Sequence, residues 1–140
     1  YQDSFSSYRL SFAPGQSLAA TGNATTTLPI LNGGIGGGSF IIRRITVGNP
    51  SNIAGGAVMN IATANVVILT SNDGNTSNAV TTAAGQTLAN VTAANTWQDL
   101  TLVAGAASTA YTANALFVKV NTAVANAAVN ISVFGDVVSF

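Results

Sequence analysis

The sequence predicts an all-β fold, a single-domain β-sandwich or jelly roll of about eight or nine short strands. Three observations predict it. Strong helix formers are scarce: glutamate is absent, Lys and Arg together number four, and Met occurs once. Stretches in which apolar and polar residues alternate, the period of a strand, recur along the chain. Between them lie clusters of Gly, Pro, Asn and Asp, which accept the tight and left-handed turns that other residues resist.

The expected strands, in order, cover residues 5–12, 26–31, 39–47, 57–62, 66–70, 88–92, 97–103, 115–121 and 129–138. The first belongs to an aromatic-rich terminal stretch, YQDSFSSYRLSF, with Tyr1, Phe5, Tyr8, Arg9 and Phe12. Chain ends are ordinarily polar and frayed. So much aromatic surface predicts that this one docks, either on its own sheet or on a neighbouring subunit, and Tyr, Phe and Arg are enriched in interface cores. Residues 1–25 are accordingly read as an N-terminal arm and 26–140 as the sandwich body, with Tyr1, Phe5, Tyr8, Arg9 and Phe12 as candidate interface residues.

The strand at 39–47 follows a glycine cluster, LNGGIGGGSF. A dinucleotide fingerprint needs G-x-G-x-x-G opening a helix. Here Ser39 occupies the third glycine position, no lysine follows as a phosphate loop requires, and a strand comes next. The glycines are therefore read as a flexible lead or a close backbone approach. Within the strand, simple alternation puts Arg43 in the row of Ile41, Ile45 and Val47, and Arg44 in the row of Phe40, Ile42 and Thr46. Each arginine is then expected in a mostly apolar row and in need of a carboxylate. Asp99 and Asp136, both on expected strands, are the candidate partners. Arg43 and Arg44 join the candidate interface residues.

VGNPSN (47–52) and SNDGNTSN (71–78) read as turns, the latter an Asx-turn rather than a calcium loop, because no bidentate glutamate completes it. At the end of the chain, Leu116, Val118 and Val120 face one way, as do Val129, Ile131 and Val133. The two runs read as a hairpin around a loop at 121–128, with Phe117 and Phe134 pairing on its polar face.

Composition narrows the function. Histidine and cysteine are both absent, which removes the commonest general base, the commonest zinc ligand and any thiolate chemistry. Only 6% of residues are charged, against about 25% in an ordinary globular protein. The eight are Asp3, Arg9, Arg43, Arg44, Asp73, Asp99, Lys119 and Asp136, and the net charge is zero. A basic patch for nucleic acid is not expected, nor is a membrane span, since no stretch of about 18 apolar residues occurs. No cofactor is expected. Asp99 and Asp136 as a glycosidase pair lack the aromatics and polar groups such clefts carry. A surface this poor in charge tends to self-associate, so an assembly subunit is expected.

Three stretches carry a resemblance: FIIRRITVGNPS (40–51), TWQDLTLVAGA (96–106) and LFVKVNTAVANAAVNISVFGDVV (116–138). Taken in this order, the chain resembles the small virion structural proteins of tailed bacteriophages of the head-decoration, or cement, type. The resemblance implies a non-enzymatic β-sandwich subunit on the capsid exterior. Its partners would be the major capsid protein and further copies of itself, most often as a trimer. Other readings are a phage neck, tail or fibre subunit, and an extracellular filament subunit that donates residues 1–12 as a strand. A carbohydrate-binding module would need an aromatic platform, for which the sequence offers the single Trp97.

Overall fold

The computed structural model describes residues 8–29, 39–53, 56–112 and 115–138. The glycine cluster at 33–38, and Tyr1 and Phe5 of the expected arm, lie outside these residues. Eight strands are found: β1 (Tyr8–Ser17), β2 (Gly22–Pro29), β3 (Ser39–Asn52), β4 (Asn65–Leu69), β5 (Gln86–Thr87), β6 (Trp97–Asp99), β7 (Ala115–Thr122) and β8 (Ala127–Val138). They form two four-stranded sheets, ordered β1-β8-β3-β6 and β2-β7-β4-β5, and every paired neighbour is antiparallel. β1 lies beside β8, β2 beside β7, β3 beside β6 and β4 beside β5. That is the winding of a jelly roll, an antiparallel ribbon rolled into two facing sheets.

One core lies between the sheets. Leu10, Ile42, Ile45, Val47, Val129, Ile131 and Val133 come from the first sheet, and Val66, Ile68, Leu116, Val118 and Val120 from the second. β3, β7 and β8 present alternate residues to this core, whereas β4 is buried on both faces, with Val67 and Leu69 also inaccessible.

The last two strands differ from the hairpin expected of them. β7 pairs with β2 and β4, and β8 pairs with β1 and β3, so residues 123–126 carry the chain from one sheet to the other. The two apolar rows face each other across the core rather than lying side by side, and Phe117 and Phe134 are on different sheets. Asn126 takes the left-handed conformation at this crossing, with φ 62.

Of the two dockings expected for the N-terminal stretch, residues 8–17 take the one on the chain's own sheet. β1 is hydrogen-bonded along β8, and Leu10 and Leu18 are completely buried. A boundary at residue 25 falls inside β2. The APGQ sequence at 13–16, which reads as a turn, lies within β1, where a register shift between Ala13 and Gln16 absorbs it. VGNPSN likewise continues β3, with a shift between Gly48 and Ser51 and Asn49 at φ 51. Turn-forming residues here make bulges inside long strands.

The strands expected at 57–62 and 88–92 are not found; the first retains only an isolated bridge between Ser51 and Val58. Leu88, Val91 and Ile61 are nonetheless fully buried, held by bonds from Val91 N to Leu88 O and from Ile61 N to Val91 O. Their apolar character comes from plugging the core from a turn, not from sheet pairing.

Candidate functional site

The outer face of the β1-β8-β3-β6 sheet collects most of the chemistry. Its geometry depends on a bulge in β3. The register against β8 shifts between Ile42 and Arg44, so one extra residue is inserted there. Burial along Ser39–Asn52 then shows two adjacent exposed positions, Arg43 and Arg44. The expectation that each arginine sits in an apolar row is corrected: the bulge turns both outward, while Ile42 and Ile45 on either side remain in the core.

Each arginine meets a carboxylate on the adjacent strand. Arg43 Nε lies 2.9 Å from Asp136 Oδ2 on β8, and Arg44 Nε lies 2.8 Å from Asp99 Oδ1 on β6. Arg43 also donates to the carbonyl of Ala107 at 3.3 Å. The pairs are not buried: the side chains are 47% and 45% exposed in the first pair and 56% and 55% in the second. They are surface pairs of modest strength, not buried charges whose loss would unfold the protein. Thr46 Oγ1 also donates to Asp99 Oδ1, at 2.9 Å. Partial burial pushes the Asp99 carboxyl up, but the hydrogen bonds from Arg44 and Thr46 and the guanidinium charge together bring it below the usual carboxylate range.

Cross-strand register arranges the face in three rows. Arg9, Phe134 and Arg44 stand side by side in one; Phe12, Ser132, Thr46 and Asp99 in the next; Asn130, Gly48 and Trp97 in the third. Arg9 Cζ is 4.8 Å from the centre of the Phe12 ring, and Arg44 Cζ is 5.9 Å from that of Phe134. Both are cation–π distances. Gly48 has a specific reason to be glycine: a Cβ there would collide with the Trp97 indole and the Thr96 carbonyl oxygen. The indole therefore lies directly over the backbone of β3.

Between Trp97 on one side and Phe134 with Arg44 on the other is a groove of about 340 Å³ whose floor is Thr46 and Ser132. Trp97 is 43% exposed, and so is Phe12 at the far side of the face. Of the residues singled out in the sequence, Arg9, Phe12, Arg43, Arg44, Asp99 and Asp136 all come to this face. Tyr8 opens β1, and its side chain lies outside what the structure describes.

Sequence reasoning did not single out Thr46, Ser132 and Phe134 as site residues, and weighed Trp97 only as an isolated aromatic. Alternation assigns Ser132 and Phe134 correctly to an outward row. What it does not supply is that β8 lies between β1 and β3, which brings these residues beside Trp97.

Among the described residues no group of three or more His, Cys, Asp or Glu is placed to hold a metal ion. At 71–77, Asp73 accepts from the Ser71 hydroxyl and the Asn75 amide, and Asn75 accepts from the Ser77 amide: an Asx-turn. Comparison with known protein families, curated proteins and solved structures finds no match for this chain.

Proposed function

We propose that the chain is a non-enzymatic structural subunit of a tailed-phage virion, decorating the capsid exterior as a homo-oligomer, a trimer in the simplest arrangement, bound to the major capsid protein. The observation that carries the reading is how its charges are used. Of the eight charged residues, Asp3 lies outside the described residues; the other seven each have a local partner. Arg43 and Arg44 hold Asp136 and Asp99, Arg9 lies over Phe12, Lys119 donates to the Gly74 carbonyl, and Asp73 caps its own turn. The remaining surface is built of Thr, Asn, Ser, Ala and Gly, with little charge to hold copies apart. A rigid antiparallel sandwich with such a surface suits repeated side-by-side packing. The jelly roll is also a fold used by viral capsid proteins, a likeness of architecture that supports the reading by analogy only. The resemblance of residues 40–138 to head-decoration proteins points the same way.

The test is addition of the purified protein to capsids from which it has been omitted. Decoration predicts saturable co-sedimentation with the shells and greater resistance of DNA-filled heads to heat. Protein that stays in the supernatant at saturating concentration contradicts the reading.

A further inference from the structure

We propose that the groove between Trp97 and Phe134 is a binding site for a neutral saccharide, with one pyranose ring seated over Thr46 and Ser132. The inference stands apart from the capsid reading and rests on the shape and chemistry of this groove. Its volume, about 340 Å³, falls at the small end of the range for small-molecule sites. A pyranose presents a flat face of C–H groups and a rim of hydroxyls, so it needs an aromatic surface for the first and planar polar groups for the second. The groove supplies both.

Trp97 gives the aromatic surface. Its indole is held against the backbone at Gly48, and nearly half of the residue stays open to solvent. Such a ring stacks on an apolar face at little entropic cost, because it is already fixed. Phe134 closes the opposite side, with the Arg44 guanidinium 5.9 Å from its ring.

The polar groups are set for hydroxyls rather than for ions. Arg44 engages Asp99 through Nε, which leaves its terminal nitrogens as donors. Both hydrogen bonds to the Asp99 side chain, from Arg44 and from Thr46, fall on Oδ1. Of the pair, Arg44 is the member that lines the groove, and a sugar hydroxyl can accept from its terminal nitrogens without separating it from Asp99. Asp99 already balances the charge of Arg44, so the pair offers no net attraction to an anion or a cation and favours an uncharged, hydroxyl-rich ligand. The Thr46 and Ser132 hydroxyls in the floor lie beside each other in register. An extended peptide would instead add to a sheet edge, and this groove lies on a sheet face.

Trp97 is the only tryptophan in the chain, so its emission reports the groove directly. The experiment screens labelled full-length protein on an array of neutral and acidic glycans. Each bound glycan, together with methyl β-glucopyranoside and methyl β-galactopyranoside, is then titrated while tryptophan emission is followed. Binding of at least one neutral glycan, with a saturable change in emission, is expected. Trp97→Ala should lower array binding about tenfold or more, the scale of losing a stacked ring. Phe134→Leu keeps the bulk and the tryptophan but not the ring, and should weaken the same titration while leaving the melting temperature near that of the parent; it carries the test if Trp97→Ala folds poorly. Three results overturn the proposal: no neutral glycan bound, binding that both variants retain in full, or binding confined to acidic glycans. Self-association that both variants abolish, with no glycan bound, would assign the face to a subunit contact and overturn it equally.

Discussion

Arg44 and Asp99 show how a single ion pair depends on its exposure. Asp99 is held below the usual carboxylate range although partial burial alone would raise it. A folded-state value lower than the unfolded one means the pair's contribution is fully present above the unfolded value, about 3.9, and is lost as pH falls through the folded value. Because both side chains are more than half exposed, that contribution is on the order of 0.2 to 1 kcal/mol. Arg44→Met should therefore raise the Asp99 titration midpoint, followed by NMR, and cost no more than about 1 kcal/mol in urea unfolding. A loss of 3 kcal/mol or more, the scale of stranding a buried charge, would show that the pair is desolvated after all. Gly48 and Gly135 make a sharper contrast. A Cβ on Gly48 meets the Trp97 indole as well as the Thr96 carbonyl, whereas on Gly135 it meets the backbone carbonyl of Ile41 and the Leu10 side chain. Gly48→Ala should shift the tryptophan emission. Gly135→Ala should cost roughly 1 to 3 kcal/mol, the range for forcing extra volume into a packed site, with the emission unchanged.

Among the elements, β1 and the crossing between β7 and β8 mark where alternation stops being informative. A period-two row says which side of a strand is apolar, and it gives that correctly for β7 and β8. It does not say which strand lies alongside. A hairpin and a crossing between sheets bury the same row, Leu116, Val118 and Val120 against Val129, Ile131 and Val133, and so leave the same trace in the sequence. Bulges are equally hidden. The extra residue at Arg43 inverts one side of β3 relative to simple alternation, and no residue type in IIRR announces it. The short spans of β5 and β6 were hard to read because most of 79–103 is held by single bridges and side-chain bonds, such as Thr101 N to Gln86 Oε1 at 2.7 Å, rather than by ladders. The candidate site was legible as a set of charges and aromatics, but not as one face, since that follows from strand order. For β1 the consequence is direct. Deleting residues 1–12 removes Leu10, completely buried, together with its pairing to β8. Leu10→Ala alone should cost about 2 to 5 kcal/mol. The deletion should abolish the cooperative thermal transition seen by circular dichroism; a truncated protein that melts like the parent would mean that the first sheet closes without β1.

At the scale of the whole molecule, the sandwich is neutral, poor in charge and locally paired in the charges it has. Association driven by such a surface depends on burying neutral polar and apolar area, so it should be nearly insensitive to salt, unlike assemblies steered by opposite fields. Sedimentation at micromolar concentration is expected to show an oligomer that persists when the salt is raised; a monomer under all conditions would leave self-association to the shell alone. The proposed place of the subunit is the outside of a phage head. Imaging of phage virions assembled with this protein labelled tests it most directly. Decoration predicts label spread over the head at symmetry-related positions, on the order of hundreds of copies, because a closed shell repeats each site many times. Label confined to the neck, tail or fibres in a few copies, or absent from the particle, would contradict it.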